Sequence, residues 1–176
     1  MAFLRNFFLV FVFAACAREQ PPSVAVVSLE DMMVALFPQG GKPASPMLVN
    51  FWATWCPPCI AELPDLLDAT STPAALGLEL QTVSFDLMVP AVSTIAAQAN
   101  VLDYLQNSQQ NFPVLILDED DYEGINQALN LPGPIPVTLA FDQNGQEVGR
   151  IEGAASSAEF QELVILALQD YSAQGP

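Results

Sequence analysis

Apolar positions follow two rhythms along most of this chain, and the places where one gives way to the other outline its elements. Val24 to Val27 is a short apolar run that predicts a strand, and Ser28 with Asp31 supplies the capping groups for a short helix through Phe37. Pro38 to Pro46, PQGGKPASP, interrupts both rhythms and reads as a loop. Met47 to Ala53 is apolar except at Asn50, the pattern of a strand buried on both faces. A helix is expected to begin at Cys56 and Cys59 and to run to about Ala69. Leu78 to Phe85 alternates as a strand does, Val89 to Gln106 has helical spacing, and Phe112 to Leu117 is a further strand that ends in acidic residues. Tyr122 to Leu129 predicts a short helix. Val137 to Phe141, a turn at Gln143-Asn144-Gly145 and Glu147 to Ile151 predict a hairpin, and Ser157 to Tyr171 a closing amphipathic helix. Strands alternating with helices, then a hairpin and a last helix, give an α/β fold in three layers.

The rhythm before Val24 is of another kind. Arg5 is followed by an apolar run from Phe7 to Ala15, about nine residues and so within the length of a signal-peptide core. At about 1.5 Å per residue such a run is too short to cross a hydrocarbon layer of about 30 Å comfortably as a helix. Residues 1–15 are therefore read as a signal peptide. Phe13-Ala14-Ala15-Cys16 resembles a bacterial lipobox, in which the cysteine becomes the lipid-bearing N-terminus, although Phe stands where Leu is usual. On that reading residues 16–23 are a lipid-anchored linker with a Pro-Pro pair, and one domain occupies 24–176. A plain signal peptide cut beside Ala15, or an uncleaved anchor with Cys16 a bystander, is the alternative.

Composition narrows the partners. The 176 residues are 52% hydrophobic and 14% charged, enough to build one sizeable core. Twenty acidic residues against four basic ones leave a formal charge of −16, which repels phosphate backbones and makes nucleic acid a poor partner. The acidic run from Asp118 to Gly124 lacks the residue order of an EF-hand loop and is read as a solvated strand-to-helix connection that caps the next helix and could steer a basic partner.

Cys56 and Cys59 carry the chemistry. A strand followed at once by a helix sets Cys56 at the helix N-terminus, where free N–H groups and the macrodipole favour an anion. The thiolate is the attacking species in disulfide exchange. Pro57 suits the first helical turn because that turn has no use for its missing donor. Cys59, one turn on, is placed to close or resolve a disulfide, so Cys56 is the expected nucleophile and Cys59 the more buried resolving thiol. A structural zinc site needs two further Cys or His ligands, and the chain has three cysteines and no histidine. Cu(I) held by the two thiolates, with help from a methionine, stays open, since soft ligands suit that ion. Met32, Met33, Met47 and Met88 are more simply core fillers.

Trp55-Cys56-Pro57-Pro58-Cys59, preceded by Asn50-Phe51-Trp52-Ala53-Thr54 and followed by Glu62-Leu63-Pro64, resembles the TlpA/ResA-type branch of the thioredoxin superfamily. Ile135-Pro136-Val137-Thr138 resembles the superfamily's cis-proline segment, and the Phe141 to Gly145 hairpin fits as well. The resemblance covers about Val24 to Tyr171. It implies a thioredoxin-like sandwich with a mixed central sheet, and a cis bond before Pro136, with Pro134 the lesser candidate. It also implies that Ile135 offers backbone groups to a substrate chain, that Trp55, Pro57 and Pro58 form contact surface beside Cys56, and that Glu62 accepts the proton of Cys59. A helix carboxylate facing solvent is the alternative for Glu62, which lies about 4.5 Å further along the helix than Cys59. Asn50 stands where thioredoxin proper has a buried acid and cannot titrate, which shifts proton handling to Glu62 or water. Pro64 is expected to kink the active-site helix, and Trp52 to lie in the core.

The combined reading is a cell-envelope thiol:disulfide oxidoreductase that needs no cofactor beyond its own cysteines. From the resemblance, its partners are client protein thiols or disulfides, among them apocytochrome c and copper-site proteins, and a membrane thiol reductant as electron donor. The lipid on Cys16 would hold it to the membrane. A disulfide-forming oxidant on the same fold, a copper-binding or metallochaperone module, and a redox-inert binding domain are the competing readings. Val137 after Pro136 departs from the element usual in the cytochrome c maturation subgroup.

Overall fold

The structure is a computed structural model and describes residues 23–72, 75–118, 122–169 and 171. The expected signal peptide, most of the linker with Cys16, and Glu119 to Asp121 of the acidic run lie outside the described residues. Among the described residues the elements follow as β1 (Val24–Val27), α1 (Leu29–Leu36), β2 (Met47–Trp52), α2 (Pro57–Thr70), β3 (Glu79–Ser84), α3 (Thr94–Ser108), β4 (Val114–Leu117), α4 (Tyr122–Ala128), β5 (Val137–Phe141), β6 (Glu147–Glu152) and α5 (Ser157–Leu168). The strands form one mixed sheet in the order β1-β4-β3-β2-β5-β6. β1, β4, β3 and β2 are mutually parallel, whereas β5 runs antiparallel to both β2 and β6. This is the thioredoxin-like α/β fold that the sequence predicts.

β2 is the centre of the molecule, and all six of its residues are buried, as an apolar run without alternation requires. Its two faces meet different helices. Asn50 bonds to Glu62 of α2, and the Trp52 ring lies 5.3 Å from that of Tyr104 on α3, so even-numbered positions face α2 and α3. Met47 pairs with Phe141 on the opposite face, where Phe141 meets Phe37 at the end of α1 edge to face. Trp52 is fully buried and Trp55 is 48% exposed, the division between core and surface that the motif suggests.

One helix is displaced from its expected span. The helix expected from Val89 begins at Thr94 and runs to Ser108, after a 3-10 turn at Asp86–Met88. Pro90 disfavours helical geometry in the residue before it, and Ala91 takes a φ of +66°, so the chain leaves the turn before Ser93 caps α3 through Ala96 N. α2 accommodates Pro64 within one continuous helix from Pro57 to Thr70. The hairpin turn forms as expected. Asp142 Oδ1 accepts from Asn144 N and Gln146 N at 2.9 Å each, and Gly145, at a φ of +79°, lies so close to the Gly41 carbonyl that no side chain fits there.

Candidate functional site

The carboxyl end of β2 delivers the motif to the start of α2. Cys56 is the N-cap of α2 with extended backbone, and its Sγ accepts from Cys59 N at 3.4 Å, while Pro57 and Pro58 fill the first turn. The cysteines are joined as a disulfide, with Sγ atoms 2.09 Å and Cα atoms 5.3 Å apart. Cys56 is 5% exposed and Cys59 is fully buried. An incoming thiol or disulfide therefore reaches Cys56 first, the order expected from the spacing. Ile135 O lies 3.9 Å from Cys56 Sγ, and the bond that follows it, Ile135-Pro136, is cis. The structure thus brings Trp55, Cys56, Pro57, Pro58, Cys59, Ile135 and Pro136 to one end of the sheet, with Pro134 preceding the cis bond rather than forming it.

Glu62 follows Cys59 on the buried face of α2 and is 3% exposed, which rules out the solvent-facing alternative. Its Oε1 accepts from Asn50 Nδ2 at 2.9 Å and its Oε2 from Ala155 N at 3.0 Å. Asn50 Nδ2 also donates to Thr138 Oγ1 at 2.9 Å, so β2, β5 and the loop before α5 all converge on this carboxyl. Burial raises its pKa from the ordinary value of 4.5 to about 7, with the Asn50 and Ala155 hydrogen bonds offsetting part of the rise. A carboxyl poised near neutrality can both accept and return a proton.

Sequence reasoning missed the support on the other side of the motif. Asp86 is buried, and its Oδ2 accepts from Thr54 N at 3.1 Å and from Ser84 Oγ at 2.6 Å, while its Oδ1 accepts from the Thr54 hydroxyl. The carboxylate thus ties the residue two before Cys56 to the end of β3. The bond to Ser84 is local, but nothing in the local pattern marks the tie to Thr54, which is 32 positions away. Asp86→Ala leaves three donors without their acceptor and is expected to lower stability by about 2 kcal/mol in urea unfolding. Asp86→Asn, whose amide can offer oxygen to Thr54 N and Ser84 and nitrogen to the Thr54 hydroxyl, is expected to recover most of it.

Arg150 secures the other approach to the site. It pairs with Glu147 and donates to Asn130 O at 2.8 Å and Leu129 O at 3.3 Å, holding the chain between α4 and the cis bond against β6. Beside Cys56 a cleft of about 380 Å³ opens between Trp55, Phe85, Met88, Tyr122, Pro134 and Ile135.

A strand-end disulfide capping a helix and facing a cis-proline loop can be compared with known proteins on both sequence and shape. The model of the AhpC/TSA family matches residues 21–148. The chain belongs to that family. Within it, the similarity is to TlpA/ResA-like members of the thioredoxin superfamily. Thiol-disulfide oxidoreductase ResA of Oceanobacillus iheyensis is 31% identical over 108 residues, 61% of this chain and 50% of that protein. Thioredoxin-like protein YneN of Bacillus subtilis is 30% identical over 127 residues, 72% of this chain and 66% of its own. The chain thus spans half to two thirds of the length of these relatives. Among solved structures, a thiol:disulfide interchange protein of the thioredoxin family from Chlorobium tepidum superposes with a TM-score of 0.55 at 29% identity, covering 73% of this chain and 81% of its own. This AhpC/TSA member therefore has the fold and branch that its motif resembles.

Proposed function

We propose that this protein is a cell-envelope thiol:disulfide oxidoreductase that reduces disulfides of client proteins. One observation carries the reading: a bonded Cys56–Cys59 pair whose outer sulfur caps a helix and faces a backbone carbonyl across a cleft. In the dithiol form, Cys56 thiolate attacks one sulfur of the client disulfide, a Cys56–client bond forms, and the client's other sulfur leaves as a thiolate. Cys59 then gives its proton to Glu62 and attacks Cys56, which releases the second client thiolate and leaves the Cys56–Cys59 disulfide. Two electrons pass to the client, and the two protons lost from the cysteines end on its thiols. A dithiol donor reverses these steps to reload the pair.

The sequence of the first 23 residues supports an envelope location, with a signal peptide over 1–15, a lipid on Cys16 and a linker to a domain over 24–176. The thioredoxin-superfamily resemblance supports a membrane thiol reductant as donor, and apocytochrome c or copper-site proteins as clients. Pro57-Pro58, with no histidine between the cysteines, favours reduction over disulfide formation.

The test is the reduction potential of the domain, equilibrated in dithiothreitol or glutathione buffers and read by thiol alkylation. A value near or below about −270 mV supports an electron donor, and one near about −120 mV reverses the assigned direction. Absence of a reversible Cys56–Cys59 couple removes the oxidoreductase reading.

A further inference from the structure

The cleft beside Cys56 has an outer wall that neither the cysteine motif nor the cis-proline segment supplies. Tyr122, the first residue of α4, sets its ring edge to face against Phe85, with centroids 5.4 Å apart, and Phe85 in turn lies 5.8 Å from Phe51 of β2. The Tyr122 hydroxyl donates to Gly133 O at 3.0 Å. That bond reaches across the cleft mouth to the loop bearing Pro134 and Ile135, two residues before the carbonyl that faces Cys56. Gly133 has a φ of +95°, a backbone conformation that glycine adopts readily, and the space where a Cβ would stand is open. The ring therefore closes one side of the cleft, and the hydroxyl holds the opposite side at a set distance.

The lining names the occupant. Trp55, Met88, Tyr122, Pro134 and Ile135 present aromatic and aliphatic surface over the buried Phe85 ring, with no charged side chain among them. Cys56 lines the same cleft, so a residue beside the sulfur that Cys56 attacks is within reach of it. A volume of about 380 Å³ takes one large side chain.

We propose that Tyr122 is a specificity-determining residue, which with Phe85 and Met88 selects clients having a large apolar residue next to the reacting cysteine. This rests on the disulfide-reducing activity proposed above. The Tyr122 ring supplies contact area, and its bond to Gly133 fixes that ring to the loop bearing Pro134 and Ile135. Burying part of an aromatic side chain here favours such clients by about tenfold over a small polar residue at the same position.

The experiment uses pre-reduced protein and disulfide-linked dimers of a short neutral peptide with Phe or Ser immediately before its cysteine. Second-order rates of Cys56–Cys59 oxidation are compared, with reduction of the enzyme disulfide by dithiothreitol as the control for intrinsic reactivity. Wild type is expected to prefer the Phe peptide by about tenfold. Tyr122→Phe, which keeps the ring and loses the tether, is expected to lower the Phe-peptide rate by about threefold. Tyr122→Ala is expected to reduce the preference to within about twofold, by loss of the ring's contact area. In both variants each peptide rate is divided by that variant's own dithiothreitol rate, so that a general change in Cys56 reactivity cancels. Equal rates for the two peptides in wild type, or a full preference retained in both variants, overturn the proposal. So does a parallel fall in the dithiothreitol rate, which would place the effect on the cysteines themselves. Failure of wild type to transfer electrons to either peptide would instead overturn the activity on which the proposal rests.

Discussion

Cys56→Ser is expected to abolish protein-disulfide turnover, leaving only the background reaction of the added reductant. The argument rests on position as well as on chemistry. Cys56 is the sulfur at the cleft, while Cys59 is sealed beneath it, so among the described residues no second thiol is placed to take over the first attack. A serine hydroxyl at the helix N-terminus would still cap α2, which keeps the fold and makes the loss of activity readable as loss of the nucleophile. Cys59→Ser should behave differently. The first exchange proceeds, the resolving step cannot, and the protein accumulates as a mixed disulfide with its client, visible as a reductant-sensitive mass increase. Turnover by Cys56→Ser at the wild-type rate, or no trapped adduct with Cys59→Ser, would contradict the assigned order of attack.

The second large effect is expected at Glu62. Its carboxyl has a pKa near 7 in the fold against an ordinary 4.5, so the folded state holds this proton more tightly than the unfolded chain does. The contribution of the neutral carboxyl is complete below pH 4.5 and is lost as the pH rises through 7. At pH 8 to 9 the charge costs the fold about 3 kcal/mol. Glu62→Gln removes the titration, and urea unfolding should find the variant more stable than wild type by about that amount in alkaline buffer. The advantage should shrink toward zero in acid. Asn50 Oδ1 is buried without a hydrogen-bond partner, so a half turn of the Asn50 amide would present that acceptor to the new glutamine amide and to the Thr138 hydroxyl. The same substitution should slow the step in which Cys59 loses its proton by about 10²-fold and flatten the dependence of that step on pH near 7. A stability difference that does not change with pH would show that Glu62 does not titrate as its burial requires.

The two predictions differ in how far they could be seen in the sequence. Local signals carried the first: strand, N-cap cysteine and first-turn prolines are adjacent in the chain, and each residue's role follows from its neighbours. Glu62 was legible as a position on the helix, yet its environment was not. Asn50 lies 12 residues before it, Thr138 lies 88 residues beyond Asn50, and Ala155 lies 93 beyond Glu62, so the set exists only once β2, β5, α2 and the loop before α5 have packed together. Asp86 was hidden for the same reason, and its neighbourhood was also misread. The apolar spacing from Val89 suggested a helix, although Pro90 and Ser93 already carried the opposing signals that delay its start to Thr94. Periodicity reports which face is buried; it does not report which buried polar groups meet.

Cys56 and Cys59 are separated by only three positions, and that spacing bears on endurance. A crosslink stabilises a protein chiefly by restricting the unfolded chain, and the restriction grows with the length of the loop enclosed: about 4.7 kcal/mol for a hundred residues in the loop-entropy model, and well under half of that for so small a ring. Making and breaking this bond therefore changes global stability by only about 2 kcal/mol, less than half of what a crosslink closing a long loop would. The sheet, its helices and the carbonyl opposite Cys56 can persist through the dithiol half of every cycle, so oxidation state is registered at one end of the molecule while the remainder serves as an unchanging frame.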